Sequence, residues 1–291
     1  MNQKDSDRRL IILLGPTAVG KTDYSISLAK QYDSPIISCD SRQIYKEMRI
    51  GTAVPSPEQL SAVRHYFIQT KSVTDYYTAG MFELEALELI ESLFAEGHET
   101  LVMSGGSMFY IDAVCNGMAD VPPADMELRK QLTDQLHSLG AEKLAERLKE
   151  LDPVAYEDID RSNGMRVLRA LEVCIGTGRP FSSFKVTGPK QRDFTIEKIG
   201  LTRDRDKLYE RIDKRVLNMI DEGLIEEVRS LNGFRNLTAL QTVGYKEVFD
   251  YLDGRMSLDE TISQIQKNTR HYAKRQMTWW KRDGSIKWIN L

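Results

Sequence analysis

The chain has 291 residues, 41% hydrophobic and 29% charged, with a formal net charge of −3. That balance describes a globular protein of one large or two modest domains, and excludes both a disordered chain and a globally basic nucleic-acid binder. No apolar run approaches the roughly 20 residues of a membrane span, the polar start at 1–9 lacks a secretory apolar stretch, and Cys39, Cys115 and Cys174 form no CxxC pair, which suits a reducing cytoplasm without structural zinc.

In chain order, the apolar run 10–14 stops at Gly15-Pro16, the pattern of a buried strand entering a turn. A helix is predicted over 22–32 and a second short strand over 35–39, ending at Asp40. Residues 78–95 have helical periodicity through Phe82, Leu84, Leu87, Ile90 and Phe94, closed by Gly97. A third strand, 101–103, runs straight into Ser104-Gly105-Gly106-Ser107. Strand, glycine loop, helix, strand, helix, strand is the order of an α/β parallel sheet flanked by helices. The character then changes. Pro122-Pro123 opens two charged helical stretches, 125–150 and 152–177, and Gly176, Gly178, Pro180, Gly188 and Pro189 punctuate the exit. Residues 117–195 therefore read as a small helical subdomain inserted into a core built from 1–116 and 196–291. A return strand at 196–201 and long helices at 206–231 and 257–282 follow, the last opened by a Ser257/Glu260 capping box. No sustained heptad suggests assembly, so a monomer is expected.

Charge is unevenly spread. Acids dominate 82–160, whereas beyond residue 263 Lys267, Arg270, Lys274, Arg275, Lys281, Arg282 and Lys287 face Asp283 alone. The basic end permits a local polyanion site. It equally suits helices that place acids early and bases late. Tyr272, Trp279 and Trp280 interleave with these bases, as in surfaces that hold sugar-phosphate and unstacked bases; a helix with aromatics in the core and bases outside gives the same pattern.

Gly15-Pro16-Thr17-Ala18-Val19-Gly20-Lys21-Thr22 fits G-x-x-x-x-G-K-[ST] between a strand and a helix. Gly15 and Gly20 let backbone approach an anion, successive amides and the helix N-terminus face it, Lys21 adds a point charge, and the Thr22 hydroxyl can ligate Mg²⁺. Such a P-loop cradle reads phosphates, those of ATP included, and does not specify the reaction. Asp40 can serve such a loop as a water-mediated Mg²⁺ holder, as a general base beside the phosphates, or as a simple loop cap. Ser41, Arg42 and Gln43 follow it, and Arg and Gln at a strand tip suit nucleobase edges. Gly105-Gly106-Ser107 falls on the same sheet edge if the sheet is parallel. Arg211 and Arg215 share a helix face and can clamp a second phosphate; the spacing by itself favours pairing with Asp206, Glu210 or Asp213. Arg166 and Arg169 stand in the same relation to Glu172.

Together these segments resemble the bacterial tRNA dimethylallyltransferase (tRNA isopentenyltransferase) family along nearly the whole chain. The resemblance is carried by the P-loop, Asp40-Ser41-Arg42-Gln43-Ile44-Tyr45, Gly51-Thr52-Ala53, Gly105-Gly106-Ser107-Met108-Phe109-Tyr110, Arg166-Val167-Leu168-Arg169-Ala170-Leu171-Glu172, 208–231, Val243-Gly244-Tyr245-Lys246-Glu247 and 269–280. Val19 stands where a small Ser is usual, Ser107 where Thr is usual, and Phe109 where an aliphatic residue is commoner. The resemblance implies transfer of a dimethylallyl group from dimethylallyl diphosphate to N6 of the adenosine immediately 3′ of the anticodon, in tRNAs reading codons that begin with U. It implies Asp40 as the base, with Ser107 and Arg211 also at the reaction centre. Gly15, Thr17, Ala18, Val19, Gly20, Lys21 and Thr22 would hold the diphosphate, with Mg²⁺ on Thr22 and Arg215 assisting. The tRNA anticodon stem-loop would meet Asp40, Ser41, Arg42, Gln43, Ser107, Arg129, Met165, Arg166, Val167, Leu168, Arg169, Gln241, Thr242, Val243, Gly244, Tyr245 and Lys246. The rival classes are a P-loop small-molecule or nucleoside kinase using ATP and a non-enzymatic RNA-binding module.

Overall fold

Strand β1 (Arg9–Leu14) is apolar on both faces, and Leu10, Ile11, Ile12, Leu13 and Leu14 are all buried, as a strand covered by helices on both sides must be. The computed structural model describes residues 8–184 and 188–291, so most of the charged start read at 1–9 lies outside the described residues. Around β1 run β2 (Ile36–Ser38), β3 (His65–Tyr66), β4 (Thr100–Ser104), β5 (Thr195–Thr202) and β6 (Lys287–Asn290). They form one six-stranded sheet in the order β3-β2-β4-β1-β5-β6, and every pairing is parallel. A parallel sheet brings the C-terminal tips of its strands to one edge. The loop after β1, Asp40 after β2 and Gly105-Gly106 after β4 thus share that edge.

Local chemistry explains the flanking helices. Helix Ala79–Ala95 starts where the Thr78 hydroxyl accepts the Met81 amide, and it buries Phe82, Ala86, Ile90 and Leu93 at helical spacing. Phe82 stacks on Tyr110 of helix Met108–Asn116 with ring centroids 4.2 Å apart. The final helix, Leu258–Trp280, opens with the expected capping box between Ser257 and Glu260. The sequence reading did not anticipate β3 or β6, which contain only two and four residues. It also merged helices that the structure separates. Gly223, at φ 99°, ends one turn of chain between Arg205–Asp221 and Leu224–Ser230.

The chain divides into two units, the described residues of Met1–Cys115 with Gln191–Leu291, and Asn116–Lys190. The expected insertion, 117–195, therefore ends too late. Residues 191–195 belong to the sheet unit because Arg192 donates to the Val114 and Ala113 carbonyls at 2.9 and 3.0 Å and pairs with Glu83 at 2.9 Å, while Phe194 is buried in that core. The second unit is helical. Helix Met126–Leu151 breaks its geometry at Gly140 (φ 82°, ψ 167°), and the predicted 152–177 helix is two, Pro153–Asp158 and Gly164–Thr177. Asp152 caps the first of these and also accepts from the Ser182 amide and hydroxyl, so one buried carboxylate ties the helices to the turn Phe181–Phe184. Leu132, Leu144, Leu148, Val167, Leu168 and Leu171 fill its core.

Candidate active site

The glycine loop after β1 is shaped by residues that grip its carbonyls. Lys21 Nζ donates to Gly15 O and Pro16 O, both at 2.9 Å. Arg211 Nε donates to Ala18 O at 2.8 Å, and Arg203 reaches Val19 O through Nη2 at 3.3 Å. Ala18 is held at φ 63° and Gly20 at φ 114°. Successive residues of this kind turn their amides to one side, the concave nest that receives anions. The first amides of any helix lack an intrahelical acceptor, and helix Lys21–Gln31, with Gly20 at its N-cap, has no side-chain cap to replace it. Two amides within this loop are already taken, that of Thr17 by Gln276 Oε1 at 2.9 Å and that of Val19 by Pro16 O at 3.3 Å. Thr17 can therefore offer an anion its hydroxyl, and not its amide.

Asp40 lies at the tip of β2. Its Oδ1 accepts the amides of Arg42 (2.8 Å) and Gln43 (3.2 Å), which fixes the carboxylate plane; Oδ2 accepts from no described residue. Gln43 is committed at one end, since its Nε2 donates to Thr52 O and Ala53 O at 3.1 and 2.9 Å. Arg215 reaches the same Thr52 carbonyl at 3.5 Å. The arginines Arg211 and Arg215 thus turn towards this edge. Asp213, a partner that helix spacing offered them, instead takes Arg270.

The turn after β4 closes the other side. The Ser107 amide donates to Cys39 O at 3.3 Å, one residue from Asp40. Gly105 is required here, because a Cβ would fall 2.5 Å from the Cys39 backbone carbonyl. Ser107 itself is buried. Gln276 Nε2 and Tyr272 OH both donate to Gly106 O, at 2.8 and 3.3 Å. Neither Gln276 nor Arg203 was singled out from sequence. For Gln276 the available signal was its four-residue spacing from Tyr272 on one face of the last helix.

The charges act on one another. Burial, opposed by Asp40 and reinforced by Arg215, lowers Lys21 from 10.5 to about 8. Burial also draws Arg215 below its ordinary value, again with Asp40 opposing and Arg211 reinforcing. Tyr272 is pushed up to about 12 by burial and then by Asp40. Burial and then Asp40 raise the Cys39 thiol, which therefore stays protonated at neutral pH. One carboxylate facing a lysine and an arginine, beside a nest of amides, can bind a polyanion and accept a proton next to it.

The other sequence-selected residues are distributed as follows. Ser41 and Arg42 are partly exposed beside Asp40. On the sheet unit, Gln241 and Lys246 are exposed and Thr242 and Val243 partly so, whereas Gly244 and Tyr245 are buried. Tyr245 cannot face RNA, for its hydroxyl donates to Glu227 at 2.6 Å inside the core. On the helical unit, Met165 and Arg166 are exposed, but Val167 and Leu168 point into the core and offer RNA no side chain. Arg129 and Arg169 both pair with buried Glu172, at 3.0 and 2.6 Å. The last helix is divided. Trp280 is buried and Trp279 donates to Asp112 at 3.0 Å, while Lys267, Lys274 and Lys281 are exposed. The aromatics there serve chiefly the core.

Among the described residues no group of three or more His, Cys, Asp or Glu side chains could hold a metal. A magnesium ion accepts a sparser set, one or two protein oxygens with water and substrate phosphate. Thr22 fits that demand. It is partly exposed in the first turn of its helix, and its hydroxyl bonds to no described residue.

The sequence matches the IPP transferase family over residues 43–283. It is 49% identical to tRNA dimethylallyltransferase 1 of Bacteroides thetaiotaomicron, covering 97% of this chain and 91% of that protein. It is 51% identical to tRNA dimethylallyltransferase 2 of Parabacteroides distasonis, covering 97% and 94%. The crystal structure of a full-length tRNA isopentenylpyrophosphate transferase from Bacillus halodurans superposes with a TM-score of 0.70 at 37% identity, covering 97% of this chain and 90% of that one. A eukaryotic dimethylallyltransferase captured acting on tRNA gives 0.80 at 25% identity, covering 97% and 74%. The glycine loop and Asp40 precede the family match, but the alignments with the two bacterial dimethylallyltransferases span nearly the full chain. On the extent of that match and the identity to these relatives, the chain belongs to the IPP transferase family.

Proposed function

We propose that this protein transfers a dimethylallyl group from dimethylallyl diphosphate to N6 of the adenosine immediately 3′ of the anticodon, in tRNAs reading codons that begin with U. The meeting of Asp40, the lysine-bearing glycine loop and the Gly105-Gly106-Ser107 turn at the C-terminal edge of one parallel sheet, with Arg215 on the Thr52 carbonyl beside them, carries this reading. The names of the relatives favour it over a kinase that uses ATP. Three free, buried cysteines suit work in the reducing cytoplasm.

The exocyclic amine of adenine is a weak nucleophile because its lone pair is delocalised into the ring. Asp40 accepts the N6 proton as the carbon–nitrogen bond forms, using the oxygen its loop leaves open. Diphosphate leaves from the allylic carbon. The amides of the glycine loop, Lys21, Arg211 and Arg215 meet its growing charge. Thr22 would hold magnesium with the diphosphate oxygens, and the bound ion supplies further neutralisation of the leaving group. Ser107 stands beside the Asp40 strand tip, its amide on Cys39 O. The target base must leave its stack to reach this site. Gln241 and Lys246, with the partly exposed Ser41, Arg42, Thr242 and Val243, on the sheet unit, and Met165 and Arg166 on the helical unit, are the accessible candidates for RNA contact, with Arg129 and Arg169 preset by Glu172.

The test is a single-turnover reaction with radiolabelled dimethylallyl diphosphate, Mg²⁺ and unmodified tRNA, followed by nucleoside analysis. Label is expected on N6 of the adenosine beside the anticodon and is lost in an A-to-G transcript. Absence of label in a transcript that another prenyltransferase accepts overturns the reading. Release of γ-phosphate from ATP with nucleosides or tRNA would restore the kinase.

A further inference from the structure

The last long helix inserts a single buried amide between the two loops that frame the site. Gln276 is 1% exposed. Its Oε1 accepts the Thr17 amide at 2.9 Å, and its Nε2 donates to Gly106 O at 2.8 Å. Those partners lie 259 and 170 residues away in sequence. They belong to the loops after β1 and β4, neighbouring strands whose paired register ends at Leu13 and Ser104. Past that point one backbone bond, Gly105 N to Leu13 O at 3.2 Å, continues the ladder. The sheet no longer sets the distance between the loops, and Gln276 spans it.

The fit is chemically selective. One end needs an acceptor and the other a donor, on a planar group of fixed size. A carboxylate sets negative charge against Gly106 O, and a hydrocarbon leaves two buried backbone groups without partners. A Cβ at Gly106 would stand 2.7 Å from Gln276 Nε2, so a side chain there would displace the amide from its bond. Tyr272, one turn earlier, donates to the same carbonyl at 3.3 Å and backs only that end.

We propose that Gln276 is a positioning residue for the transfer reaction, holding the glycine loop and the Gly105-Gly106-Ser107 turn at the separation that lines the diphosphate up with Asp40. The inference rests on the proposed reaction. One loop carries the leaving-group contacts, and the other carries Ser107 beside the Asp40 strand tip. Gln276 is buried with both ends of its amide committed to the loops, so its loss misaligns reactants that still bind. A displacement near 1 Å at a reacting centre costs on the order of 10²-fold in rate.

Two variants test this. Gln276→Met keeps length and removes both hydrogen bonds. Its single-turnover rate at saturating substrates is expected to fall about 10²-fold, with KM for either substrate moved by less than about threefold. Gln276→Glu is impaired when ionised but regains a donor and an acceptor when protonated. The ratio of its rate to that of the wild type should therefore climb as pH falls. Asp40, Lys21 and Tyr272, the titratable neighbours, are present in both proteins, and the wild-type profile is the reference for their own titration. Hydrogen exchange at the Thr17 amide reads the clamp without any reaction, and should quicken in Gln276→Met. An unchanged rate in folded Gln276→Met, a loss confined to KM, a flat Gln276→Glu ratio or an unchanged Thr17 exchange each overturns the proposal. Wild-type protein that moves no label refutes the reaction instead, and the Thr17 exchange still decides whether the clamp exists.

Discussion

Replacing Asp40 by Asn removes a charge while keeping a shape. The amide oxygen can still accept from Arg42 and Gln43, at the 2.8 and 3.2 Å of the native loop. Alanine would delete that cap together with the base, at about 1 kcal/mol, and confuse the two effects. What Asn lacks is a place for the N6 proton, and general-base catalysis contributes about 10² to 10⁴ in rate. The barrier should therefore rise by about 3 to 5 kcal/mol, at 1.36 kcal/mol for each tenfold. A second effect follows from the same charge. Asp40 is the largest influence holding Lys21 up against burial, so in Asp40→Asn the lysine loses its proton below pH 8. The assay is single-turnover transfer from radiolabelled dimethylallyl diphosphate at saturating tRNA, with tRNA affinity measured separately by filter binding. Transfer should be lost with affinity changed by no more than about threefold. A rate within about threefold of the wild type, with tRNA bound normally, would remove Asp40 from the proton transfer.

Lys21 itself makes the free protein sensitive to pH. The unfolded chain keeps this proton up to 10.5 and the folded protein loses it near about 8, so unfolding takes up a proton in that window and stability rises with pH across it. In Lys21→Met the rise of stability between pH 8 and 10.5 should vanish in urea titrations, while diphosphate binding weakens. Bound diphosphate favours the charged amine, so calorimetry above pH 8 in buffers of differing ionisation heat should show proton uptake; none would mean that Lys21 does not meet the anion. Glu227 accepts the amides of Arg49, Ile50 and Gly51 and the Tyr245 hydroxyl, all between 2.6 and 3.0 Å. Glu227→Ala should lower stability by about 3 kcal/mol in urea titrations, against about 1 kcal/mol for Tyr245→Phe, because it leaves four donors unpaired and not a single acceptor site. Ser257→Ala breaks the capping box of the helix that carries Gln276 and should cost about 1 kcal/mol by the same measurement; no change would show that the Glu260 carboxylate alone satisfies the cap.

The features read correctly from sequence were those written in consecutive residues. The loop from Gly15 to Thr22 states its own geometry, since a glycine pair, a lysine and a threonine between a strand and a helix have few other uses. Thr78 and Ser257 declare helix starts because a cap and its amides lie within one turn. The predicted helices over 125–150, 152–177 and 206–231 run through Gly140, Asn163 and Gly223, where the structure breaks the helical backbone. Helix spacing pointed Arg211 and Arg215 to local acids, since spacing knows only the neighbours on its own helix. The acceptors they found, Ala18 O and Thr52 O, lie 193 and 163 residues away.

From the sequence alone came the glycine loop between strand and helix, the carboxylate at the second strand tip and the parallel α/β class, because each rests on residue types whose chemistry acts over one to four positions. The tertiary structure alone decided that Gln276 bridges two loops, that Arg203 and Arg211 grip the glycine loop from outside, and that Val167, Leu168 and Tyr245 turn inward. Those outcomes depend on which backbone carbonyls and amides the parallel sheet brings to a common edge. A hydrogen bond between groups so far apart in the chain leaves no periodic mark in the sequence.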